Sequence, residues 1–211
     1  MPDTKPSTLR HEPRVLLAVV LAAVAASAVG AREYGTWVLE VAPIGLALLV
    51  LVPTFPRFRL TPLAYRALAI AALLIALGAH YTYAEVPLGE WMRDWFGFER
   101  NHYDRIGHVA QGAVAAIGVR ELLVRLTPLR AGWWLLGVTT LVCLGVSGGF
   151  ELVEALAAAF TGQAGQDYLG TQGDEFDAQW DMTCALVGAL AAQLALGRVH
   201  DRQIALVDRE A

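Results

Sequence analysis

The chain has 211 residues, of which 56% are hydrophobic and 17% charged, with a formal net charge of −4. That composition is too apolar for an ordinary soluble domain, and several stretches approach the ~20 apolar residues needed to cross a bilayer. It also carries no basic stripe or nucleic-acid motif, so no nucleic-acid partner is expected.

In chain order, residues 1–13 are polar and contain three prolines; they read as a disordered cytoplasmic tail. Val15 to Ala31 is the first span. Its basic flank and its small-residue end at Ala28-Val29-Gly30 resemble a signal peptide, but the apolar run is longer than a usual h-region, so an uncleaved span is expected. Trp37 to Val52 is the second span, interrupted by Pro43, with Glu40 read as an anion near the positive end of a helix. Leu63 to about Ala84 is the third. Trp91, Trp95, Phe96 and Phe98 then mark a short amphipathic piece lying in the membrane interface.

The fourth span starts near Asn101 or Tyr103 and runs to about Val124, with Asn101 as N-cap and Asp104 at N3. The fifth runs from about Gly132 to Phe160 and carries Gly145-Val146-Ser147-Gly148-Gly149, a patch that permits close helix contact. A Gly- and Gln-rich loop over residues 161–173 leads into the sixth, from about Met182 to Leu196. Cys143 and Cys184 lie in apolar segments and read as packing residues. The expected fold is an all-α polytopic membrane bundle of six transmembrane helices over residues 14–197, with a polar tail over 198–211.

Basic residues orient such a bundle. Lys5, Arg10 and Arg14 precede the first span; Arg57, Arg59 and Arg66 lie between the second and third; Arg120, Arg125 and Arg130 lie between the fourth and fifth; Arg198, Arg202 and Arg209 follow the sixth. Six spans place these 12 of the 16 basic residues on one side, so both termini are expected in the cytoplasm. Arg32, Arg93, Arg100 and Arg105 fall on the outer side.

With that topology the unusual polar residues gather at one membrane depth. They are His80, Tyr83 and Glu85; Asp104, Arg105, His108 and Gln111; Glu151 and Glu154; and Asp174, Asp177 and Asp181. His108 follows Asp104 by one helical turn, and Glu151 and Glu154 also share a face. His108 could be a histidine satisfied by a neighbouring helix, but an ionisable group inside a membrane favours function. A bland reading pairs Arg105 with Glu151 or Glu154, makes Asp174 a helix cap, and makes Tyr83 and Trp180 interface anchors. Asp181 sits within the apolar run, where capping does not explain it.

From Glu151 to Asp181 there are seven carboxylates and no Lys, Arg or His. Crowded carboxylates need protons or cations; Arg105, His108 and His80 supply part of the compensation and a divalent metal is the other solution, with His108, Glu151, Glu154, Asp174, Asp177 and Asp181 as candidate ligands, so the cofactor stays open. Asp104, His108, Glu154 and Asp181 are the candidate catalytic groups, and Arg105, Tyr83, His80 and Gln111 the candidate substrate contacts. Standard zincin, EF-hand, P-loop and nucleophile-elbow motifs are absent.

Tyr103-Asp104-Arg105-Ile106-Gly107-His108, Arg120-Glu121, Glu151-Leu152-Val153-Glu154 and Gly170-Thr171-Gln172-Gly173-Asp174 through Asp177 to Asp181-Met182 resemble the motifs of the YjdF-type bacterial inner-membrane proteins. The stretch from His80 to Pro87 fits the same pattern, and the resemblance covers roughly residues 60–195. It implies a small multi-pass protein of the bacterial inner membrane with no assigned activity. A looser similarity is to VanZ-like proteins, whose association with glycopeptide resistance points to the cell envelope; this chain has Met182 where that pattern has Asn. Three functions stay open: a metal- or proton-dependent site acting on an envelope lipid or lipid-linked precursor, a small-solute or ion transporter, and a non-catalytic helper whose polar cluster fixes helix packing. Membrane lipids are the expected partners.

Overall fold

The structure, a computed structural model, describes residues 8–161 and 168–210. These residues form seven α-helices and no strand: α1 Thr8–Ala28, α2 Tyr34–Thr54, α3 Pro62–Tyr81, α4 Pro87–Phe96, α5 Tyr103–Leu126, α6 Trp133–Thr161 and α7 Asp177–Glu210, with a 3₁₀ turn over Tyr83–Glu85. Five helices are long and apolar enough to cross a membrane: α1 from His11, α2, α3, α6 and α7. α5 has 24 residues, about 36 Å of helix, but carries Asp104 and Arg105 at one end and Arg120, Glu121 and Arg125 towards the other, which lowers its hydropathy.

Two ends differ from the sequence expectation. α1 already begins at Thr8, with Pro13 inside the helix. α7 continues to Glu210, and its last turns are tied down: Gln203 Oε1 accepts from the Leu63 amide at 2.8 Å, and Asp201 and Asp208 pair with Arg120 and Arg125 at 2.6 and 2.8 Å. Residues 162–167 of the expected loop lie outside the described residues.

Helix starts are set by local chemistry. Glu33 caps α2 by accepting from the Thr36 amide, and these backbone bonds hold its carboxyl below the usual range. Thr61 caps α3, with Pro62 in the first turn. At α5 the expected cap moves by one residue: His102 occupies the N-cap position without a side-chain bond. Asn101 Oδ1 accepts from the Tyr103 amide at 3.0 Å, while its Nδ2 donates to Val86 O and Glu90 Oε1, each at 3.0 Å. Asn101 thereby joins α4 to α5. α4 ends at Gly97 in the left-handed region and leaves Trp91, Trp95, Phe96 and Phe98 exposed, as an interfacial helix would.

The closest helix pair is α5 with α7. A Cβ on Gly112 would lie 1.8 Å from Ala185 O, and one on Gly188 would lie 2.0 Å from Val109 O. The two backbones thus touch at reciprocal glycines, the usual way for helices to approach closely without a hydrophobic driving force. The Gly145–Gly149 patch does not serve this purpose: a Cβ at Gly145 or Gly149 meets nothing within 4 Å, and one at Gly148 meets only Met182 Sδ at 3.5 Å. Small residues also fill the core beside this pair, where Ala116, Cys143 and Ala189 pack together. Both cysteines are free.

One end of the bundle is locked by Glu121, which is 0% exposed. Its carboxylate accepts from the Thr61 amide and hydroxyl at 2.9 and 2.8 Å and from Arg125 at 2.9 Å, and lies 3.1 Å from His200 Nε2. Arg125 also stacks over the Phe58 ring at 3.9 Å. The pair Arg120-Glu121 is thus a structural joint between α3, α5 and α7.

Candidate carboxylate–histidine site

The opposite end of the bundle holds the other polar cluster, and the α5–α7 contact creates it. Gly112 lies one turn after His108, and Ala185 one turn after Asp181. Close approach at Gly112 and Ala185 therefore sets His108 beside Asp181. Asp104, His108 and Asp181 each offer a ligand atom within 4.8 Å of the other two. Two ligands of one zinc-sized ion stand at most about 4.2 Å apart, a spacing within reach of small side-chain rotations.

His108 is the hub. Its Nε2 lies 3.5 Å from Asp104 Oδ1, and its Nδ1 lies 3.2 Å from Gln111 Oε1 and 3.8 Å from Glu151 Oε1. The Phe150 ring meets it edge-on. Asp181 is 2% exposed, and its buried Oδ1, like Oε1 of Glu151, has no hydrogen-bond partner among the described residues. A buried carboxylate oxygen without a donor is costly and points to a proton or a cation as the missing partner.

A second tier lies around the α7 start. Arg100 Nη1 bonds Asp177 Oδ1 at 2.5 Å and Asp174 Oδ2 at 3.3 Å, and Arg105 Nη2 bonds Asp174 Oδ2 at 2.7 Å. Arg105 also sits 5.8 Å from the Trp180 ring. The Phe176 amide, and then the two guanidiniums, hold the Asp174 carboxyl below its ordinary range. Burial, and then Arg105 and Arg100, lower the pKa of His102. The loop is pinned by Gln172, which exchanges two hydrogen bonds with the Asn101 backbone at 3.0 and 2.9 Å. Arg100 Nε and Nη2 and Arg105 Nε are buried donors with no acceptor among the described residues.

Several sequence expectations change here. Arg105 pairs with Asp174 and not with Glu151 or Glu154. Asp174 does not cap α7, which begins at Asp177; its Oδ1 accepts from the Phe176 amide at 3.0 Å in a local turn. Asp174 and Asp177 face arginines, whereas the ligand-type cluster is Asp104, His108 and Asp181. Glu154 is buried and lines an adjoining cavity. Tyr83 is no interface anchor: it packs into the notch between Gly78 and Gly107, edge-on to Tyr103 at 5.5 Å. His80 stays apart, its Nδ1 lying 3.0 Å from Ser27 O at the end of α1.

Three residues at this end lie outside the candidate set drawn from the sequence. Glu40 is buried and lines the same cavity as Asp104, Glu154 and Tyr168. The expected place in the first turn does not hold: α2 starts at Tyr34, so Glu40 lies beyond the reach of the helix dipole. A carboxylate inside an apolar span was the available signal. Arg100 and Tyr168 gave none, because both sit in connecting segments.

Residues 12–202 match the family model described as "Predicted membrane protein (DUF2238)". The chain is also 42% identical over 176 residues to "Inner membrane protein YjdF" of Escherichia coli (strain K12), covering 83% of this chain and 84% of that protein. No solved structure matches the chain. The YjdF-type resemblance therefore holds across both halves of the molecule, and the protein is a multi-pass, helical inner-membrane protein that belongs to the DUF2238 membrane-protein family.

Proposed function

We propose that the protein crosses the inner membrane six times with both termini in the cytoplasm, and that its carboxylate–histidine cluster faces outward. There it binds a divalent cation and acts on an envelope lipid or lipid-linked precursor. The observation that carries this reading is the convergence of Asp104, His108 and Asp181 from α5 and α7 around a buried Asp181 oxygen with no donor among the described residues. Carboxylates combined with one imidazole suit Mn²⁺, Fe²⁺ or Zn²⁺. Bound there, such an ion would polarise a phosphoryl or carbonyl oxygen or activate water. Glu151, beside His108, and Glu154, on the cavity wall, would do the acid–base work, and the buried donors of Arg100 and Arg105 that lack an acceptor among the described residues would meet an anionic head group.

The six-span topology is supported by the Lys and Arg distribution, and by the length of α5 and its packing against α3, α6 and α7. A hydrophilic solute path is disfavoured because the cavity wall beyond Gln111 is apolar, through Val114 and Ala115 on α5 and Ile44 and Leu48 on α2.

The test is turnover of extracted envelope lipids by detergent-purified protein, followed by mass spectrometry with Mn²⁺ or Zn²⁺ and with chelator. The expected result is a metal-dependent change in one lipid class that disappears in Asp181→Asn and His108→Ala. Identical lipid profiles for wild type and both variants would sink the enzymatic reading.

A further inference from the structure

A cavity of about 520 Å³ lies between α1, α2 and α3 on one side and α5 and α6 on the other. Along α2 its wall runs from Glu40 to Phe55, about 22 Å of helix and most of the ~30 Å hydrocarbon thickness. The polar lining gathers at its ends, with Glu40, Asp104, His108 and Glu154 at one, joined by Gln111 and the hydroxyls of Tyr83 and Tyr168, and Arg14 and Tyr65 at the other. Between them the wall is apolar, formed by Ile44, Ala47, Leu48, Ala72, Val114 and Val146.

The cavity is open on one side. α2 packs on α3 and lightly on α1, whereas α6 packs on α5 and α7. The slot between α2 and α6 has rims that line the cavity yet remain exposed, Val52 at 54% and Val146 at 47%. In a bilayer that opening faces lipid tails. Water is a poor occupant, because the apolar wall offers it no polar partners. A helix, at about 10 Å across, is wider than this slot averages over the same length. The volume does lie within the ordinary range for small-molecule pockets, about 300–1,000 Å³.

We infer that this slot binds one hydrocarbon chain of a membrane lipid, which enters sideways between α2 and α6 and places its polar head against the Asp104–His108–Asp181 end. The role of the head rests on the function proposed above; the chain site rests on the slot alone. The arrangement defines the substrate class as an amphiphile with a chain long enough to follow α2 and a head small enough to fit beside His108.

The experiment uses the full chain in nanodiscs of phosphatidylglycerol carrying a diazirine midway along one acyl chain, with crosslinks mapped by peptide mass spectrometry. Labelling is expected at Ala47, Val114 and Ala115 inside the slot, as well as at the outward-facing Leu49 and Leu141. Val146→Trp, alone or with Ala47→Phe, should lower slot labelling about tenfold relative to Leu49, with bound metal unchanged. Wild-type labelling confined to Leu49 and Leu141 would overturn the chain site and leave the metal site standing. Slot labelling in a wild-type protein that purifies without metal supports the chain site, and the missing metal then overturns the metal reading instead.

Discussion

Asp181 carries more of the account than any other side chain, because it is buried beside His108 with an oxygen that no described residue donates to. Replacing it with Asn removes the anionic ligand while keeping the shape, so Asp181→Asn should lose bound metal without a large change in folding. Glu151 lies farther out, 3.8 Å from His108, and Glu151→Gln should weaken metal binding about 10–100-fold, as outer-shell changes do. Metal titration of the two purified variants separates these outcomes; equal affinities would contradict the assigned roles. Asp174 behaves differently. Its folded pKa is held below the unfolded value of about 3.9, so its contribution is complete above that pH and is lost only as pH falls through the folded value. The melting difference between wild type and Asp174→Asn should therefore stay constant from pH 5 to 8, as followed by thermal unfolding; a difference that vanishes within that range would contradict the Arg100–Asp174–Arg105 cluster. Single residues were legible when their chemistry clashed with their surroundings, as Asp181 and His108 did in apolar helices. Partners were not legible: nothing in the spacing distinguishes Arg105 bound to Asp174 from Arg105 bound to Glu151, because that depends on how a loop returns.

Between helices, the decisive features are glycines. Gly112 and Gly188 permit the α5–α7 contact that sets Asp181 beside His108, so a methyl group at either should force the backbones apart. Gly112→Ala and Gly188→Ala should each destabilise the protein by about 1–3 kcal/mol, the usual cost of overpacking, and should also reduce metal binding. Gly118→Ala, where a Cβ meets nothing within 4 Å, should be neutral or slightly stabilising. Thermal unfolding of the three variants checks this, and an equal effect at all three would contradict it. Glu121 provides the opposite control. Removing its buried carboxylate in Glu121→Ala leaves Arg125 and the Thr61 amide without their partner and should cost about 3–5 kcal/mol. Bound metal should remain in the fraction that folds. The helices themselves were legible from apolar run length, but the choice of touching glycines was not. Gly145, Gly148 and Gly149 form the denser cluster in sequence, yet the contact is made by two isolated glycines on the helices that also bear the site.

Across the whole molecule, two chemistries divide the bundle ends. One end is closed by the buried Glu121–Arg125–His200 joint; the other keeps an excess of carboxylates over arginines beside an apolar slot. That asymmetry is the whole-molecule feature on which the proposed outward-facing site rests. Cysteines introduced at Glu99 and Glu175 should react with an impermeant thiol reagent added outside intact spheroplasts, and one at Thr127 only after lysis. Reversed labelling would move the site to the cytoplasmic face. The loop charges are the sequence signal behind the proposed orientation, because Lys and Arg act through membrane insertion. The slot was not legible: it is bounded by helices that do not pack on each other, and an absent contact leaves no periodicity.

The most direct test of the central claim is the metal content of full-length protein purified in detergent without chelators, compared with Asp181→Asn and His108→Ala at matched monodispersity. The account predicts a stoichiometric divalent ion in the wild type that is missing from both variants. A well-folded wild type without metal, or variants that retain it, would contradict the claim and leave the carboxylates to be balanced by protons and the two arginines.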